Sequence, residues 1–130
     1  MQILKMNQKG KKMNNKQATL MESLKLMDNS FHFREGIIKF SKHETFKHFL
    51  AKCLMCYELR QNNTWFYTEA IFKGKGLRAD IFVPSWNQAI EIVSSETKNS
   101  IEKKKEDYPV NVKFMKDDDV IKENLKWLKN

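Results

Sequence analysis

Apolar positions recur with helical spacing in four stretches of the chain and take on strand character in four others. Over residues 13–27, Leu20, Met21, Leu24 and Met27 fall on one face of a helix, and five of the seven methionines precede residue 28. Such a Met-rich amphipathic helix docks on its own domain or on a partner, the former being the simpler expectation. A short extended piece is expected at residues 36–40. Ser41 followed by Glu44 has the spacing of a capping box, which predicts a helix over 42–60. Its apolar stripe would be Phe46, Phe49, Leu50, Cys53, Leu54 and Tyr57, and Gln61-Asn62-Asn63 would end it.

Strand formers fill 65–73, and Gly74-Lys75-Gly76 has the composition of a hairpin connection. Over 77–83, Leu77, Ala79, Ile81 and Val83 alternate with Arg78, Asp80 and Phe82, and a turn at 84–87 leads to a largely buried strand over 88–94. A helix over 97–108 turns Ile101 and Tyr108 inward, and a fourth strand covers 110–115. Asp117-Asp118-Asp119 opens a closing helix that carries Val120, Ile121, Leu125 and Leu128. A helix between the third and fourth strands implies a right-handed crossover. The expected fold is therefore α/β, a small mixed four-stranded sheet flanked by helices.

Composition narrows the functional classes. In 130 residues there is room for one domain, and 41% hydrophobic residues, with 12% aromatic, exclude disorder over the whole chain. The net charge of +8 suits an anionic partner. Lys5, Lys9, Lys11, Lys12 and Lys16 all precede the first acid, Glu22. That start reads equally as a mobile arm for phosphate contacts or as a solubilising tail. Residues 1–30 are thus expected to be a basic, partly disordered arm containing the Met-rich helix, and residues 31–130 the folded domain. No apolar run approaches a membrane span and no signal-peptide core follows the basic start, so a soluble, cytoplasmic protein without membrane contact is expected. Cys53 and Cys56 form a C-x-x-C. With no second ligand pair, and inside a helix, they read as small apolar residues, at least one of them packed in the core, rather than a redox or zinc motif.

The chemistry rests on Asp80, near the end of an otherwise apolar strand, and Glu91, inside the most hydrophobic strand. If the turn at 84–87 pairs these strands, the carboxylates converge. Two buried carboxylates in contact repel, and one takes up a proton unless a cation neutralises them. Oxygen ligands of this kind suit Mg²⁺ or Mn²⁺, which activates a water against a phosphodiester. The structural alternative is a buried ion pair between Glu91 and Arg78.

The segment RADIFVPSWNQAIEIVSSE, residues 78–96, set between hairpin and crossover helix, resembles the core of the PD-(D/E)XK nuclease superfamily. The likeness spans about residues 41–115 and lies mainly in the order of elements, a restriction-endonuclease-like αβββαβ core. It implies Asp80 and Glu91 as catalytic metal ligands, with Glu69 on the preceding strand as an additional acidic ligand; Glu44 and Glu58 are weaker candidates for that acid. The family lysine lies two residues after the Glu, where this chain has Val93. Some members supply it from the following helix, which favours Lys104 over Lys98 here; the alternative for both is a solvated helix face.

Other residues carry less weight. The acids at 117–119 are expected from helix capping alone. His32 and His43 are scattered, His43 and His48 lack zinc spacing, and His43 with Lys47 can reach phosphate, although a polar helix face is the simpler account. Among the tryptophans, Trp65 and Trp127 read as core, whereas Trp86, in a turn near the site, is the candidate for stacking on a base. Arg78, Lys98 and Trp86 complete the expected nucleic-acid contacts. The expectation is a metal-dependent nuclease acting on DNA ahead of RNA, with room for a homodimer. An inactive nucleic-acid-binding protein of the same fold and a protein-interaction module are the rival expectations.

Overall fold

The computed structural model describes residues 14–27, 36–74 and 76–129. The basic start over 1–12 and the boundary between arm and domain lie outside the described residues. The elements are α1 (Asn15–Leu24), α2 (Phe46–Gln61), β1 (Tyr67–Ile71), β2 (Arg78–Val83), β3 (Gln88–Val93), α3 (Lys98–Asp107), β4 (Asn111–Lys116) and α4 (Asp117–Glu123). A 3₁₀ turn, Pro84–Trp86, joins β2 to β3, and another, Leu125–Leu128, follows α4. The sheet runs β1-β2-β3-β4, antiparallel across the first two ladders and parallel across the last. The mixed α/β architecture and the order of its elements are those expected.

Local chemistry explains the boundaries. Gly74 and Gly76 both take positive φ, +73° and +66°, in the β1–β2 hairpin. Phe72 N–H closes that hairpin onto the Leu77 carbonyl at 3.1 Å. Helix α2 starts later than the Ser41 capping box implies. Thr45 is the cap, its hydroxyl accepting from His48 N–H at 3.1 Å. Ser41 and Glu44 close a separate turn instead, with Glu44 Oε2 accepting from Ser41 N–H at 3.2 Å.

Two apolar layers cover the sheet. On one side Ile81, Val83, Ile90 and Ile92 pack with Ala51, Leu54, Met55 and Leu59 of α2 and Val120 of α4. On the other, Ala70, Phe72, Ala79, Phe82 and Ala89 meet Met27, with Leu24 and Tyr108 at the margin. Helix α1 docks on the body: Ser23 Oγ donates to Asn87 Oδ1 at 2.9 Å, and Lys73 N–H to the Leu26 carbonyl at 2.8 Å.

Three packing expectations are corrected. The buried stripe of α2 is Ala51, Lys52, Leu54, Met55, Cys56 and Leu59, while Phe46 is 72% exposed and Tyr57 47%. The helix is turned to bring a lysine, rather than its aromatic residues, under the sheet. Ala79 and Ile81 pack in opposite layers, so the strand alternation breaks at Asp80. Trp65, Leu125 and Leu128 are exposed. Trp127 does pack against the core, as does Cys56.

Candidate functional site

The register of the sheet sets Glu69, Asp80 and Glu91 in one row across three strands. Thr68↔Ile81 and Ala70↔Ala79 bracket Glu69 opposite Asp80, and the step beyond Ile81↔Ile90 sets Asp80 opposite Glu91. The two antiparallel ladders lack a pair at this row among the described residues. Glu69 has φ +51°, a left-handed conformation that few side-chain-bearing residues adopt. Asp80 Oδ2 accepts the Ile92 N–H at 2.8 Å, so a side chain takes the place of a ladder bond. Glu69 and Asp80 therefore occupy an irregularity of the sheet.

From this row a polar network crosses the domain. Lys52, fully buried, places Nζ 2.7 Å from Glu44 Oε1, 3.2 Å from Glu69 Oε1 and 3.2 Å from the Lys39 carbonyl. His48 Nδ1 lies 2.5 Å from the same Glu44 oxygen. Its Nε2 is 3.1 Å from the Ile92 carbonyl oxygen and 3.4 Å from Asp80 Oδ2. Asp80 and Glu91 are close enough for each to act on the other's ionisation. The Tyr108 hydroxyl donates to Glu91 Oε1 and stands 3.1 Å from the Arg78 carbonyl oxygen.

The protonation states follow from these contacts. Burial, and next the negative charge of Asp80, push Glu91 up to about 8, against the Tyr108 bond and the charge of Lys104. Burial also works to raise Asp80, but His48 and the Ile92 N–H outweigh it and hold Asp80 below the ordinary range. The Asp80 hydrogen bond raises His48 to about 9, against burial and with help from Glu44. Burial works to lower Lys52, and Glu44 and Glu69 more than offset it. At neutral pH the site thus holds two cations, an ionised Asp80 and a protonated Glu91.

An open cleft of about 330 Å³ reaches the network, lined by Ser41, His43, Glu44, Thr45, His48, Glu69, Asp80 and Ser94. Ser94 donates to Asp117 Oδ2 at 2.7 Å, which explains why the first acid of α4 is buried.

Of the residues expected from the sequence, Asp80 and Glu91 come together. Glu69 reaches the cleft, but its oxygens lie on Lys52 and, at 3.9 Å, on Arg78. Arg78 is therefore not the partner of Glu91, and the ion pair considered between them is replaced by the Tyr108 hydroxyl. Lys104 is exposed on α3 with its charge acting on Glu91, and Lys98 is exposed on the same helix. Val93 is buried. Trp86 is 51% exposed, in a turn three residues beyond the end of the Asp80–Val83 stretch, which sets it about 10 Å or more along the strand from Asp80. Glu58 lies outside the site, 3.8 Å from Lys126.

Sequence reasoning missed His48, Lys52 and the polar role of Tyr108. A signal existed, because Glu44, His48 and Lys52 recur every four residues, which over the expected 42–60 helix is one face. The aromatic stripe beside them drew the inward direction instead.

Among the described residues no group of three or more His, Cys, Asp or Glu side chains is arranged to hold a metal. What is present is the Asp80–Glu91 carboxyl pair, and the Ile92 carbonyl oxygen is already met by His48 Nε2 at 3.1 Å. A carboxyl pair fits Mg²⁺ or Mn²⁺, which bind through one or two carboxylates and keep several waters. No protein-family model matches the chain, and comparisons with curated proteins and with solved structures returned no match.

Proposed function

We propose that the protein is a divalent-metal-dependent nuclease that hydrolyses phosphodiester bonds in DNA, acting inside the cell. The observation that carries this reading is the charge imbalance at the irregular row of the sheet. Glu44, Glu69, Asp80 and Glu91 meet two buried or half-buried cations, Lys52 and His48, with exposed Arg78 only at the margin of Glu69. Lys52 and His48 together satisfy Glu44, Glu69 and one oxygen of Asp80. The remaining acid excess falls on the Asp80–Glu91 pair, where a proton now quenches it. Hard oxygen donors with excess negative charge at a cleft are the setting a small dication takes up.

In this reading Asp80 and Glu91 would hold Mg²⁺ or Mn²⁺. When bound, such an ion lowers the pKa of an attacking water and steadies the leaving oxygen. His48 fixes the direction of Asp80, Tyr108 fixes Glu91, and Lys52 keeps Glu44 and Glu69 paired, so that the cleft does not collapse by repulsion. Lys104 supplies the positive charge that Val93 does not. A second reading, a DNA-binding protein of this fold without catalysis, is favoured by the buried valine at that position.

The test is cleavage of single-stranded, duplex and branched DNA with Mg²⁺ or Mn²⁺. Asp80→Asn and Glu91→Gln preserve shape, and each is expected to lower the rate by about a hundredfold or more. Tight DNA binding by wild type without any cleavage would favour the second reading.

A further inference from the structure

The lip of the cleft carries an apolar exposure that the metal chemistry does not use. Phe46, first residue of α2, is 72% exposed, the highest value among the exposed large hydrophobic side chains, and follows Thr45, which lines the cleft. Phe40, 58% exposed, precedes Ser41, another lining residue, and is held edge-on by Phe49 with ring centroids 4.9 Å apart. Between and beside the two rings stand exposed Lys42, His43 and Lys47, the last 2.9 Å from Asp118. The strip Phe40–Lys47 therefore sets two aromatic rings among two lysines and a histidine along one edge of the cleft.

The strip is also anchored. Lys52 donates to the Lys39 carbonyl at its start, and Lys52 and His48 hold Glu44 in its middle. The rings are thus presented to water by the same buried network that fixes the acids.

Resting on the nuclease reading, we infer that this lip binds single-stranded or unpaired nucleotides, with a base stacked on Phe46 and phosphates on Lys42, His43 and Lys47. An exposed ring can stack only on a base whose face is free, and duplex bases are stacked on each other. The flanking lysine charges complement the phosphates between successive bases. The substrate class is then single-stranded DNA, or the unpaired part of a flap, fray or junction, delivered to Asp80 and Glu91.

The test is binding of a fluorescein-labelled oligothymidylate and of a blunt hairpin duplex to the full chain in EDTA, where nothing is cut. Phe46→Ala is expected to weaken oligothymidylate binding by about five- to hundred-fold, the range of one lost stack, and to leave duplex binding unchanged. Phe46→Trp should hold or tighten the single strand. Lys42→Ala should make its salt dependence shallower by about 0.7 in log–log slope. Equal single-strand affinity in wild type and Phe46→Ala, or equal loss on both probes, overturns the inference. A change in sedimentation of Phe46→Ala without a change in binding also overturns it, because the ring then contacts protein. Because no metal is present, the outcome separates from the nuclease reading. Binding as expected with no cleavage elsewhere counts against the enzyme and not the lip, whereas duplex-only binding counts against the lip and not the enzyme.

Discussion

At the scale of single residues, Lys52 joins two of the site's acids. It is a fully buried ammonium with three oxygen partners, two of them carboxylates. Replacing it with methionine keeps the stem volume, removes the ammonium from between Glu44 and Glu69, and leaves Glu44 with His48 as its cation. Urea denaturation of Lys52→Met is expected to give a loss of about 3–5 kcal/mol, the cost of leaving buried charge uncompensated. A loss below 1 kcal/mol would mean that the acids relax to solvent. Tyr108 acts differently. Tyr108→Phe removes the hydroxyl on Glu91 and should cost only about 1 kcal/mol. It should raise the Mg²⁺ concentration needed for half-maximal cleavage by about tenfold and leave the saturated rate near wild type. A drop in the saturated rate alone would place Tyr108 outside the positioning of Glu91.

At the scale of elements, Thr45 and not Ser41 starts α2, and removing its cap is expected to cost about 1 kcal/mol in Thr45→Ala, measured by thermal or urea unfolding. Ser41→Ala should cost less, since its hydroxyl is not the α2 cap. The strands and helices were largely legible in the chain, because alternation and helical spacing depend on local sequence. Asp80 and Glu91 were legible for the same reason: a lone carboxylate in an apolar strand demands a partner. The rotation of α2 was not legible. Its aromatic stripe and its Glu44-His48-Lys52 stripe are both regular, and periodicity does not say which one faces the sheet. That depends on Glu69 and Asp80 waiting on strands that come later in the chain. The left-handed φ of Glu69 and the break at Asp80 were hidden likewise, since they are set by the register between strands rather than by residues within one.

At the scale of the whole molecule, the site is a stability-bearing network that titrates. Glu91 and His48 both have folded-state pKa values above their ordinary ones, about 8 and about 9. The stability that each protonated form contributes is fully present below its ordinary pKa and is lost as pH rises through the folded value. Asp80, held low, contributes in the opposite direction, and its contribution is lost only in acid. Without metal, Tm is therefore expected to fall by the order of 5–10 °C between pH 6 and pH 9. Mg²⁺ should raise Tm more at pH 8 than at pH 6, because the proton on Glu91 must leave before both carboxylates can hold a cation. A Tm that is flat over this window, with or without Mg²⁺, would contradict the assigned protonation states. No helix among the described residues is long and apolar enough to cross a membrane. The cleft is lined in part by Ser41, His43, Glu44, Thr45 and His48, beside the N-terminus of α2, next to the exposed rings of Phe40 and Phe46.

The most direct measurement is Mn²⁺-dependent cleavage of single-stranded DNA by wild type and Asp80→Asn, with Mn²⁺ binding followed in the same samples by electron paramagnetic resonance. Wild type is expected to bind the ion and cut the strand, and Asp80→Asn to lose both together. Cleavage by Asp80→Asn at the wild-type rate, or wild type that binds no Mn²⁺ and cuts nothing, would contradict the assignment of a metal centre to Asp80 and Glu91.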